Sequence, residues 1–191
     1  MDGLENLEPM GRTDFVDRSP LTRDALAFAA SSHAGQTRDS DDSPFVTHPV
    51  EVARLLHEAG YSDEVVAAGV LHDVLENTGA GSDELERRFG SEVTRLVAAV
   101  SDDESIDDYG ERKAALREQV ARAGECAAAV FAADKVSKAR ELRVRGGRFS
   151  RRDELRIQHY EASLEMLDLV LPGRDLVDRL RAELVILHAL T

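Results

Sequence analysis

DEVVAAGVLHDVLENTG, residues 63–79, is apolar on nearly every side up to His72 and then turns polar at His72, Asp73, Glu76 and Asn77. A helix that is hydrophobic all round is a buried one, so this segment is expected as a central helix capped by Ser62. Residues three and four apart share a helix face, which sets Glu76 one turn beyond His72 and Asp73, and Asn77 over Asp73. Buried polar groups cost free energy unless they find partners, so four of them at the end of such a helix require a partner.

The periodicity stays helical in both directions from this segment, with little of the alternating β-branched pattern of strands. Ser19 and Pro20 start a helix that reaches about His33, followed by the polar loop AGQTRDSDDSPFV. Thr47 and Pro49 open a second helix, which stops at Gly60. Beyond TGAGS, Ser82 caps a short helix to Phe89 and Gly90, and SEVTRLVAAV makes another. After the polar loop SDDESIDDYG, helices are predicted over residues 111–123, over ECAAAVFAADKVSKARELR, over 151–171 and over 175–189, with Gly146, Gly147, Pro172 and Gly173 as breaks. Residues 1–18 are expected as a loosely ordered arm. The expected fold is all-α, a single compact helical bundle over residues 19–191.

A chain of 191 residues can bury such a core without disulfides, and its one cysteine, Cys126, reads as a small packed side chain. No apolar run reaches the roughly 20 residues of a membrane span, and MDGLENLEPMGRTDF lacks the basic start and apolar block of a signal peptide. A cytoplasmic protein with no membrane partner is the expectation. The net charge of −13 argues against nucleic-acid binding, because phosphate backbones repel acidic surfaces. The charge is uneven, however: residues 138–156 carry eight Lys or Arg against Glu141, Asp153 and Glu154. That block is either a solvated face paired with acids elsewhere or a local anion site.

A lone His-Asp pair means little; further ligands in similar settings give it weight. His33 ends the first helix at the mouth of a polar loop, and Asp134 lies among apolar neighbours in VFAADKV. Two imidazoles and two carboxylates, His33, His72, Asp73 and Asp134, can hold a divalent ion and leave positions open for water and substrate. His48, His57, His159 and His188 are left out of this set: His48 is read as closing the helix start at Pro49, and His57 and His188 as surface or packing residues.

A histidine, an adjacent His-Asp and a distant Asp resemble the signature of the HD metal-dependent phosphohydrolases. HAGQTRDSDDSPFVTHPVEVARLL, AAGVLHDVLENT, RRFGSEVTRLVAAVSDD, ERKAAL, FAADKVSKARELR and RIQHYEASLEM further resemble, in order, blocks of the RelA/SpoT hydrolase domain and its stand-alone form, the small alarmone hydrolases. The resemblance covers roughly residues 20–170. It implies an all-helical bundle and a manganese ion held by His33, His72, Asp73 and Asp134. The implied reaction removes the 3′ pyrophosphate of guanosine tetra- or pentaphosphate, giving GDP or GTP. Glu76 matches the family's catalytic carboxylate, which can orient water or accept its proton. Arg38, Arg112, Lys113, Arg156 and Tyr160 match substrate-contacting positions. The resemblance ends with the hydrolase domain, so a stand-alone hydrolase is the expected role.

Two positions depart from the family pattern. Asn77 stands where an aspartate is usual, and an amide cannot take a proton from water. Lys138 stands where an asparagine often contacts the nucleotide, adding charge and losing an acceptor. Hydrolysis of another nucleotide phosphate, and a catalytically impaired module that binds metal and nucleotide, therefore stay open beside the leading reading.

Overall fold

The computed structural model describes residues 14–146 and 149–190. Among them the chain forms the helices α1 (Asp14–Arg18), α2 (Pro20–Ser32), α3 (Thr47–Glu58), α4 (Asp63–Leu71), α5 (Val74–Asn77), α6 (Ser82–Val100), α7 (Tyr109–Ala123), α8 (Glu125–Arg145), α9 (Arg151–Val170) and α10 (Asp175–Ala189). The all-α expectation holds, and the one β pairing among the described residues is an isolated bridge between Thr37 and Pro44. Residues 1–13 of the expected arm, with Gly147, Arg148 and Thr191, lie outside the described residues.

The helices gather into two compact units divided between Ala98 and Ala99. In the first, α2 and α3 pack against α4, and α1 packs on α2. Phe15 and Val16 of α1 are buried. Every residue of α4 from Val65 to Leu71 is buried, as its all-round hydrophobicity requires. Gly69 sets how close α3 comes: a β-carbon there would lie 2.4 Å from Leu56 Cδ1. The predicted helix through His72 to Asn77 is interrupted. α4 ends at Leu71, Asp73 adopts φ −92°, ψ −4°, and α5 resumes with Asn77 N–H donating to the Asp73 carbonyl at 3.0 Å. α6 turns sharply at Gly90, whose φ of 85° suits a residue without a β-carbon.

The second unit is built on α8, against which α7, α9 and α10 pack. Its stretch from Ala127 to Ala133 is wholly buried, five alanines among the seven residues allowing neighbouring helices to come near. Leu167, Leu171, Leu176, Leu180 and Leu187 fill the space between. α7 begins two residues earlier than the polar run predicts, because Asp108 caps it by accepting from Glu111 N–H. Ser150 and Asp153 form a reciprocal capping box at the start of α9. Cys126 is half-buried rather than fully packed.

Candidate metal centre

In the first unit, the carboxyl end of α2, the amino end of α3 and the bend between α4 and α5 bring His33, His48, His72 and Asp73 into the interior. Their exposures are 2, 1, 4 and 3%. The hydrogen bonds around the rings fix which nitrogen carries hydrogen. His72 Nδ1 lies 2.8 Å from the Gly69 carbonyl, which can only accept, so Nδ1 carries a hydrogen and a neutral ring has its lone pair at Nε2, with His48 Nε2 3.2 Å away. Gln36 Nε2 donates to the Asn77 carbonyl at 3.0 Å, which turns Gln36 Oε1 toward His33 Nδ1 at 2.9 Å. His33 Nδ1 must then donate, and its Nε2 is also bare.

That His33 Nε2 is buried with no hydrogen-bond partner among the described residues. An imidazole lone pair shut away from water with nothing to accept is costly, and a cation is the partner that suits it. Burial lowers the pKa of His33 first of all; Gln36 and the Asp73 charge act against that, and His72 and His48 add to it. The ring is therefore kept neutral, as a ligand must be.

His72 Nε2 lies 3.1 Å from Asp73 Oδ2, His48 Nε2 lies 3.3 Å from the same oxygen, and the two imidazole nitrogens are 3.2 Å apart. Adjacent donors on one small divalent cation, with bonds of about 2.1 Å, stand about 3.0 Å apart in octahedral and about 3.4 Å apart in tetrahedral geometry. The spacing of these atoms falls between those values. The residues thus fit a divalent cation in donor type and separation. The second histidine nitrogens are tied to a backbone carbonyl and a side-chain amide, the outer partners that orient ligating imidazoles.

His48 is the correction to the sequence pattern: it stands among these groups rather than only closing a helix start. Gln36 went unremarked, although its place three residues after His33 was a signal. Glu76 is half-buried on α5, and the side chain of Asn77 is exposed. Arg38, in the loop before α3, pairs with Glu51 at 3.8 Å.

In the second unit Asp134 is 4% exposed on α8. Lys135 Nζ donates to its Oδ2 at 2.6 Å, and Lys138 Nζ lies 2.9 Å from its Oδ1. Lys135 also sits over the Phe131 ring, at 4.3 Å, and burial lowers its pKa. Lys113 pairs with Asp102. Arg112 donates to the Ile106 and Asp107 carbonyls at 2.6 and 3.2 Å, so this pair also holds the loop before α7. Arg156 lies 3.8 Å from Asp153.

Tyr160 is buried, which raises its pKa, and its hydroxyl feels the charges of Lys138, Asp134 and Arg156. The hydroxyl of Tyr109, absent from the predicted set, feels Arg156, Asp102, Arg112 and Lys138. The two tyrosines therefore mark where the cations of the basic block and of α7 gather. His159 is buried, and Arg117 donates to its Nδ1 at 2.8 Å, so the lone pair of that ring already has a partner; burial and then the nearby Lys135 push its pKa down to about 2. His57 stacks on Phe15, and His188 pairs with Glu161.

The HD domain family model matches residues 25–152. The human guanosine-3′,5′-bis(diphosphate) 3′-pyrophosphohydrolase MESH1 is 43% identical over 122 residues, 62% of this chain and 68% of that protein. The bifunctional (p)ppGpp synthase/hydrolase SpoT of Escherichia coli is 42% identical over 85 residues, 44% of this chain and 12% of that protein. The solved structure of a metazoan SpoT orthologue that hydrolyses ppGpp superposes with a TM-score of 0.76 at 29% identity, covering 91% of this chain and 98% of the other.

Proposed function

The chain belongs to the HD-domain family, and we propose that it is a metal-dependent hydrolase that removes the 3′ pyrophosphate from guanosine tetra- or pentaphosphate. The relatives named for that reaction support the substrate. The observation that carries the metal is His33 Nε2, a buried lone pair whose ring is fixed by Gln36 and which has no hydrogen to accept among the described residues.

We assign His33, His72, Asp73 and Asp134 as the ligands of a manganese ion, with His48 Nε2 holding the Asp73 carboxylate in place from 3.3 Å. When bound, such an ion supplies Lewis acidity toward a phosphoryl oxygen and lowers the pKa of water. Glu76 orients the attacking water and accepts its proton, and the bond to the 3′ oxygen breaks to leave pyrophosphate and GDP or GTP as products. Arg38, Arg112, Lys113, Lys138, Arg156 and Tyr160 bind the polyanionic nucleotide. Each of those cations already has an acidic or carbonyl partner, so substrate phosphates exchange for existing contacts rather than meeting an isolated charge.

The test is one assay: purified protein, added manganese and guanosine tetraphosphate, with GDP and pyrophosphate followed over time and a chelator control. Release of both products in equal amounts, abolished by chelator, is the expected result. Binding without turnover would instead make the chain a nucleotide-binding module, as Asn77 allows.

A further inference from the structure

Lys138 stands beside a proposed ligand, 2.9 Å from Asp134 Oδ1, and that geometry gives it a task besides substrate binding. Asp134 is a buried carboxylate with an ammonium on each oxygen: Lys135 on Oδ2 at 2.6 Å and Lys138 on Oδ1 at 2.9 Å. The two lysines are not equivalent. Lys135 is 5% exposed and lies against the Phe131 ring, so packing holds it in place. Lys138 lies one helical turn further along α8 with a third of its side chain exposed, so its flexible stem can carry the ammonium into water at little cost.

We infer that Lys138 is a stand-in cation for Asp134: its ammonium holds Oδ1 while no metal is present and yields that oxygen when a divalent ion binds. The inference rests on the assignment of Asp134 as a ligand. A buried carboxylate needs a positive partner to stay ionised, and Lys138 supplies one from outside the packed core. Metal binding must then break an ion pair that an asparagine at this position would not form. The cost is of the order of one partly exposed ion pair, so the chain binds its metal more weakly than it would without Lys138. An ammonium released in this way is also free to meet a phosphoryl oxygen.

Manganese itself is the probe, with free ion measured by electron paramagnetic resonance in the absence of nucleotide. Lys138→Met is expected to bind manganese roughly 2- to 5-fold more tightly than the unaltered protein, the equivalent of losing an ion pair of that kind. The unaltered protein supplies a second readout: acetylation of Lys138 by an amine-reactive ester, followed by mass spectrometry, should increase severalfold on adding manganese while Lys135 stays protected. Unchanged or weaker metal binding by Lys138→Met, or Lys138 labelling indifferent to manganese, overturns the inference. Asp134→Asn separates this from the ligand assignment: if it binds manganese as well as the unaltered protein, Asp134 is no ligand and the proposed set is wrong. If Asp134→Asn loses the metal and Lys138→Met does not gain affinity, only the stand-in role fails.

Discussion

His72 donates its Nδ1 hydrogen to the carbonyl of Gly69, 2.8 Å away, and this residue is the same glycine that lets α3 and α4 touch. One position thereby sets both the tautomer of a proposed ligand and the helix spacing that brings His48 on α3 to 3.2 Å from His72 Nε2.

Gly69→Ala should therefore harm both packing and metal binding. The added β-carbon would stand 2.4 Å from Leu56 Cδ1 and 3.4 Å from Val52 Cγ1, and overpacking of this kind costs about 1–3 kcal/mol. Separation of α3 from α4 should also weaken manganese binding, since His48 and His72 move apart. Denaturant unfolding and a metal titration of the same preparation check the two effects together.

Gln36 offers a cleaner test because it contacts His33 without belonging to the ligand set. Gln36→Leu removes both the acceptor for His33 Nδ1–H and the donor to the Asn77 carbonyl. Metal affinity should fall about 10- to 100-fold, the usual cost of losing an outer partner of a ligating imidazole. Gln36→Glu keeps the acceptor and should lose less. Equal losses in the two variants would show that orientation of His33 is not what Gln36 provides.

At Glu76 and Asn77 the expected effects separate binding from turnover. Glu76→Ala should leave manganese bound and lower the hydrolysis rate by about 10²- to 10⁴-fold, the range of general acid–base assistance. Asn77→Asp should change the rate by less than about tenfold, because in this chain the proton passes to Glu76. A large gain in Asn77→Asp would identify the missing carboxylate as the proton acceptor and the unaltered chain as catalytically impaired.

The helices were legible in the sequence where apolar spacing and caps agree, as at Ser19 with Pro20 and along the all-apolar run from Val65 to Leu71. The bend at His72 and Asp73 was not, since no glycine or proline marks it; the His72 side chain finds its partner at Gly69 while α5 resumes through the Asp73 carbonyl. His48 was missed for a related reason. Its ring reaches His72 and Asp73 only because Gly69 brings α3 close, which is a tertiary fact that local spacing does not carry. Tyr109 was hidden because its predicted place was a polar loop, whereas Asp108 caps the helix one residue before it.

Asp153 gives a prediction about acid stability in the second unit. Burial alone would raise its pKa; hydrogen bonds from the Ser150 hydroxyl and Arg145, with the Ser150 N–H, outweigh it and bring it from 3.8 to about 2. A carboxyl with a depressed folded-state pKa stabilises the fold fully above its unfolded value, and loses that contribution as pH falls through the folded one. The shift corresponds to about 2 kcal/mol, tying the carboxyl end of α8 to the start of α9. Asp153→Asn should then be less stable than the unaltered chain by about that amount at neutral pH, with the gap constant down to about pH 5 and closing between about pH 4 and pH 2. Denaturant unfolding of both proteins across that range measures it, and a gap that stays constant down to pH 2 would show that the loss comes from packing rather than from the charge on Asp153.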